Sequence, residues 1–288
     1  MELFLQQLIN GLTQGMGYAL IALGLTMIFG VLHIINFSHG EFYMLGGLVS
    51  VLVTTSLGLS YALAALLAIV ALCAVAWVVD LLAVTPVLDK RDGPSTVLLT
   101  TYAVSLLINQ SVLQAWGPNP ARVEGIEGSL VIGSVVVGYH RLLVLAAGVG
   151  ALALIETVLR RTNVGRKIRA LAQSAYAATV VGINITSVRR ITFIGAAALA
   201  GLTGALLTPI SLYTPTMGQH IITNAFVVVV IGGMGNAWGA VVCGILLGVV
   251  EAMASIFMPH EVGTAIVYTL LLAALLIRPQ GLFGGSRA

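Results

Sequence analysis

The sequence predicts an all-α polytopic membrane protein, one membrane domain over residues 1–288 with about eight or nine transmembrane helices, on three observations. Of its 288 residues 59% are hydrophobic and only 8% charged, where a soluble domain carries about 25% charged residues. Apolar runs of roughly 20 residues, the length a helix needs to cross hydrocarbon, recur from end to end and leave no stretch for a separate soluble domain. The charges fall between those runs, where they orient the chain.

The spans expected in chain order are 8–30, 38–57, 61–85, 96–115, 141–159, 191–211, 220–233, 238–257 and 262–277. The opening "MELFLQQLINGLTQG" holds no Lys or Arg, and the first base of the chain is Lys90. A signal peptide needs a basic leader, so the first run is expected to stay as a span. Spans three and four flank "DKRDG" (89–93), and span five follows the connection "GPNPARVEGIEGSLVIGSVVVGYHR" (117–141).

The long connection 160–190 holds Arg160, Arg161, Arg166, Lys167, Arg169, Arg189 and Arg190, seven of the thirteen bases. The positive-inside rule places it in the cytoplasm. Counting spans outward from it puts 89–93 and the tail with Arg278 and Arg287 inside, and leaves Arg122, Arg141 and the N-terminus outside. A net charge of +3 concentrated in loops is therefore topology information, and no nucleic acid partner is expected. Cys73 and Cys243 lie inside apolar runs with no CxxC partner and read as small packed side chains.

Two polar, glycine-containing breaks interrupt the pattern. "VLHIINFSHGEFYMLGG" (31–47) brings Asn36, Ser38, His39 and Glu41 between apolar runs, and "VVVVIGGMGNAWGAVVCGILLG" (227–248) brings Gly232, Gly233, Gly235 and Asn236. Irregular backbone at membrane depth is tolerated only where protein or a wet cavity satisfies it, so each break is either beside a translocation path or a tight turn at the membrane surface. Gly11/Gly15, Gly235/Gly239 and Gly244/Gly248 also have the small-xxx-small spacing of close helix packing. His33 and His39, six apart, share no helix face. The chain has no H-E-x-x-H, no G-x-S-x-G and no phosphate loop. No catalytic residue and no metal ligand is expected.

Within "VGRKIRALAQSAYAATVVGINITSVRRITF" (164–193), Ile168, Leu171, Ala172, Ala175 and Thr179 fall at helical spacing, with Arg166, Lys167, Arg169 and Gln173 off that stripe. The pattern predicts a short amphipathic cytoplasmic helix over 168–181, ended by Gly182. Such a helix either rests on lipid or docks on a cytoplasmic partner.

"RALAQSAYAATVVGINITSVRRITFIGAAALAGLTGALL", the opening "GLTQGMGYALIALGLTMIFGVLHIINFSHGEFYMLGG", the late glycine motif and the closing "LIRPQGLFG" together resemble branched-chain amino acid ABC transporter permeases of the LivH type, in the same order over essentially the whole chain. The resemblance implies a permease subunit of an ATP-driven importer in a bacterial or archaeal inner membrane. Its partners would be a second permease of the LivM type, two cytoplasmic ATPase subunits that bind ATP and Mg, an external solute-binding protein and the lipid bilayer. No cofactor would be bound by this chain. Carried over by position, Arg169 to Asn184 correspond to the helix that couples to an ATPase, with Arg169, Ala172, Gln173, Ala175, Ala178, Gly182 and Asn184 at the contact. The chain departs from its relatives at Ser174 and Tyr176, where acidic residues are common. Leucine, isoleucine or valine would suit a path lined by aliphatic side chains, although relatives also carry urea and short amides. An ion-coupled carrier using Glu41, Glu156 or Glu251 is the competing class, since intramembrane carboxylates are functional candidates by default.

Overall fold

The computed structural model describes residues 2–133 and 135–257, with positions 265, 268–269, 273, 276–278 and 280–284; most of the expected span 262–277 lies outside the described residues. In order the elements are α1 (Glu2–Leu32), α2 (His39–Val51, continued by a π turn Leu52–Ser56), and α3 (Tyr61–Val79), which runs through a second π turn, Asp80–Val84, into α4 (Thr85–Leu88). Then come α5 (Gly93–Trp116), the strands β1 (Ser129–Ile132) and β2 (Val135–Gly138), α6 (Tyr139–Arg161), α7 (Asn163–Gln173), α8 (Ala175–Val180), α9 (Ile185–Leu207), α10 (Met217–Gly232) and α11 (Ala237–Ala254). Among the described residues six helices are long and apolar enough to cross a membrane: α1, the continuous Tyr61–Leu88, α5, α6, α9 and α11.

The core follows the glycines. α1 is the central helix and lies along α11, where a Cβ on Gly15 would come within 2.8 Å of the Ile245 backbone and one on Gly244 within 2.6 Å of that of Ala19. The small-xxx-small spacing is thus a helix contact. α2 crosses α9 equally closely: a Cβ on Gly46 would collide with the carbonyl of Gly201, and one on Gly204 with that of Tyr43. The outward faces of α3, α5 and α6 expose Leu66, Leu82, Leu99, Leu107 and Leu154, the pattern of helices facing lipid.

Polar contacts sort the connections between two ends. Arg189 meets Asp89 at 2.8 Å, and Arg190 meets the buried Asp80 at 2.8 Å, so the 89–93 turn and the 160–190 connection share one end. At the other, Gln6 accepts from the Val136 amide, and Ala121 and Tyr213 exchange backbone hydrogen bonds. The N-terminus, the 117–138 connection and the 208–216 connection therefore lie together, as the charge count requires. Sequence reading missed the antiparallel hairpin that pairs Ser129 with Gly138, although β-branched residues dominate "SLVIGSVVVG".

Three expectations are corrected. The run 38–57 does not start at the bundle's end: His39 bonds to the Ile21 carbonyl, halfway along α1, so α2 starts about 16 Å above the inner end of α1 at 1.5 Å per residue. The run 191–211 stops at Leu207, and 208–216 is irregular backbone leading into α10. The single helix 168–181 is two helices, because Ser174 takes extended angles and caps the second through its hydroxyl, which accepts from the Ala177 amide.

Candidate functional site

After Leu32 the chain turns at His33, which sits at φ +56, and residues 33–38 climb back into the bundle to the start of α2. The second half of the molecule does the reverse: after α9 the chain bends through 208–216, which contains Pro209 and Pro215, and α10 starts inside the bundle. The two helix N-termini meet. A Cβ on Gly40 would collide with the Gly218 carbonyl, and one on Gly218 would stand 2.7 Å from the Gly40 carbonyl. Only glycine at both positions permits this approach.

The polar residues 36–41 pack around that junction, and Asn36, Ser38, His39 and Glu41 are all buried. Asn36 Oδ1 accepts from the Ser38 hydroxyl (2.6 Å) and the Ser38 amide (3.1 Å). Glu41 Oε1 accepts from Ser105 at 3.1 Å, and Asn109 donates to the Pro215 carbonyl at 2.8 Å, tying α5 to both re-entrant segments. Asn36 Nδ2, His39 Nδ1 and Glu41 Oε2 have no partner among the described residues. Buried polar atoms of that kind are expensive unless something in the working cycle meets them. Beside them Phe37 packs edge-on against Tyr102 (ring centroids 5.9 Å apart) and at a tilt against Phe226 (5.5 Å), on the side of the bundle where Tyr102 is half exposed.

The second break lies elsewhere. Gly232, Gly233, Gly235 and Asn236 form the tight turn from α10 to α11 at the inner end, with Gly233 and Gly235 at φ +96 and +88 and Gly235 against Gly30. Asn236 caps α11 by accepting from the Gly239 amide at 3.0 Å and donates to the Phe283 carbonyl at 2.7 Å. The closing motif docks here, the Leu282 amide donating to Ile231 at 2.7 Å. Of the two readings of the 232–236 break, a place beside the path or a tight turn, the geometry is that of a tight turn, and the counterpart of 33–38 is 208–216. Its signal in the sequence was "TPISLYTPTMG", two prolines and a glycine inside an apolar stretch.

On the inner face, Thr162 caps α7, Ser174 caps α8 and Asn184 caps α9. Gly182 ends α8 at φ +78 in a Schellman arrangement, its amide bonded to Thr179 and that of Ile183 to Ala178. Gly165, Ile168 and Leu171 turn inward, while Arg169, Ala172, Gln173 and Ala175 are exposed. Ala178, expected on the contact face, is buried, because it stands seven residues after Leu171 and so on the same inward side; Ala175, which an unbroken helix would place between Ile168 and Leu171, is turned outward by the break at Ser174. Tyr176 is 82% exposed and takes its place on the outward face.

A family model described as "Branched-chain amino acid transport system / permease component" matches residues 7–275. The chain is 31% identical to the high-affinity branched-chain amino acid transport system permease protein LivH of Salmonella typhimurium, over 98% of this chain and 96% of that protein. It is equally similar, with the same coverage, to the permease protein BraD of Pseudomonas aeruginosa, and 26% identical to a probable LivH of Methanocaldococcus jannaschii over 92% of this chain and 88% of that one. In fold it is similar to a chain of "PsaBC from Streptococcus pneumoniae in complex with Fab", with a TM-score of 0.51 at 12% identity, over 97% of this chain and 93% of that chain. The family match spans the re-entrant pair and the inner helices alike, and the chain belongs to the family of branched-chain amino acid transport system permease components.

Proposed function

We propose that this permease component imports leucine, isoleucine or valine across the cytoplasmic membrane, driven by ATP bound with Mg on two separate ATPase subunits. A second permease of the LivM type completes the membrane unit, and an external solute-binding protein delivers the amino acid. This chain binds no cofactor of its own. The observation that carries the reading is the junction of α2 and α10: two helices that begin inside the bundle, facing one another, with the unpaired polar atoms of Asn36, His39 and Glu41 around them. Discontinuous helices of this kind mark the solute path in transporters built from opposed halves.

The work of the cycle enters through the inner face. Closure of the ATPases displaces α7 and α8, presented through Arg169, Ala172, Gln173, Ala175 and Tyr176, with Gly182 and Asn184 fixing their join to α9. α9 carries the motion to α2 through the Gly46/Gly201 crossing, and so to the junction. Such rigid displacement of one packed element against another is an ordinary route between two discrete states, and each state must contact solute differently for the coupling to exist. The turn Gly232–Asn236 borders the inner mouth of the path.

Reconstitution of the four-subunit membrane complex in proteoliposomes, with the binding protein outside, tests this. ATP-dependent uptake of labelled leucine is expected, and Asn36→Leu should cut it sharply while the complex still assembles. Uptake driven by a sodium or proton gradient without ATP would sink the proposal.

A further inference from the structure

The outer half of the bundle holds a polar cluster that lies apart from both breaks. Tyr18 of α1, nearly fully buried, donates its hydroxyl proton to Glu251 Oε2 of α11 at 2.7 Å. The same oxygen of Tyr18 accepts from Asn224 Nδ2 of α10 at 3.0 Å and from Gln14 Nε2 at 3.2 Å. All the donors run one way, from the amides through the phenol to the carboxylate. The Glu251 carboxylate thus stands at the accepting end of that chain. Glu251 has no ion pair among the described residues.

Glu251 lines two cavities, of about 280 Å³ and about 300 Å³, near the low end of the roughly 300–1,000 Å³ typical of small-molecule sites. The first has two characters. Tyr18, Asn224 and Glu251 form one wall, while Ile221, Leu212 and Met217 supply aliphatic surface, and Tyr43 carries it to the α2 segment that leads to the junction. The second cavity holds Arg141, whose guanidinium donates to Asn10. A carboxylate beside an aliphatic wall matches two parts of an aliphatic amino acid, its ammonium and its side chain.

We infer that Tyr18, Asn224 and Glu251 form an outer recognition site for the primary ammonium group of an aliphatic amino acid on its way to the α2–α10 junction. The inference rests on the import reading for the choice of amino acid, but the chemistry it names is that of the ammonium. Glu251 contacts the ammonium directly, and Tyr18 positions the carboxylate.

The test uses the whole transport system in membrane vesicles, with Cys73 and Cys243 replaced by Ala and Thr223, exposed on the cavity wall, replaced by Cys. The rate of N-ethylmaleimide labelling at position 223 is measured with three probes of similar shape: L-leucine, 3-methylbutylamine and 4-methylpentanoate. Leucine and the amine should slow labelling, the amine at higher concentration, and 4-methylpentanoate should not. Glu251→Gln should raise the leucine concentration needed by about tenfold, the scale of losing one charge-assisted hydrogen bond. Tyr18→Phe, which keeps the carboxylate, should weaken leucine less. Equal protection by 4-methylpentanoate, no protection by the amine, or unchanged protection in Glu251→Gln would each overturn the assignment. The probe comparison needs no change at Glu251, so a variant that fails to fold does not blunt it. Leucine uptake is followed in the same vesicles. Uptake without protection overturns the site and leaves the import reading standing; protection without ATP-driven uptake upholds the site and counts against import.

Discussion

Replacing Gly46 by Ala should weaken the α2–α9 crossing and lower the stability of the whole bundle. The added Cβ would stand 2.6 Å from the Gly201 Cα and 2.7 Å from its carbonyl carbon, whereas ordinary van der Waals contact begins near 3.4 Å. The opposing groups are backbone, and the Gly201 carbonyl oxygen stands closer still, so no side-chain rotation relieves the clash and the helices must part by more than about 0.8 Å. Overpacking of this sort costs about 1–3 kcal/mol. With a shift of about 2–4 °C in Tm per kcal/mol for chains somewhat shorter than this one, the fall should be about 2–12 °C. The assay is thermal unfolding in detergent read by a thiol-reactive fluorophore, because Cys243 is buried in the folded chain. Gly150→Ala and Gly195→Ala are the controls, since nothing lies within 4 Å of a Cβ at either position; losing a helical glycine there should leave Tm unchanged or raise it. If Gly46→Ala unfolds at the temperature of those controls, the close crossing is not what holds α2 in place.

Single cysteines at Ser174 and Glu127, in a chain lacking Cys73 and Cys243, should react with an impermeant maleimide in intact cells only at position 127; labelling at 174 from outside would invert the topology. Ala172→Trp should abolish ATP-driven uptake and loosen ATPase binding in a pull-down while membrane levels hold, because a bulky group on an exposed small-residue face prevents close docking. Full uptake with both ATPase subunits retained would remove α7 from the contact. Asp80→Asn should destabilise by about 3 kcal/mol, the lower end for breaking a buried ion pair, since Arg190 is one-third exposed and Thr85 also bonds to Asp80 at 3.0 Å. Asp80→Asn with Arg190→Met should be less than additive in the same melting assay.

Membrane class, the sorting of the connections between two ends and most long helices were legible in the sequence, because hydropathy and the placing of Lys and Arg act directly on insertion. Gly182 was legible for a local reason, its left-handed backbone being cheap only for glycine. What the pattern could not give is depth. Residues 38–57 are apolar enough to count as a span, yet α2 begins beside Ile21, and that position is set by Gly40, Gly46, Gly204 and Gly218 meeting residues some 150 or more positions distant. Ser174 was visible as a cap residue, but the alanines on either side favour helix and hid the break. The Tyr18–Glu251 contact spans 233 positions, so no local window connects its two ends.

That separation also orders the protein's biogenesis. α1 and α2 leave the ribosome first, but their closest packing partners, α11 and α9, belong to the second half of the chain. Until those are made the glycine face of α2 has nothing to cover it, and α1 has a glycine stripe open to lipid. The first half of the chain therefore lacks its closest packing until α9 and α11 arrive. Truncations after α6 should be cleared by membrane proteases rather than accumulate, and the two re-entrant segments acquire their final depth together, when α10 closes against α2.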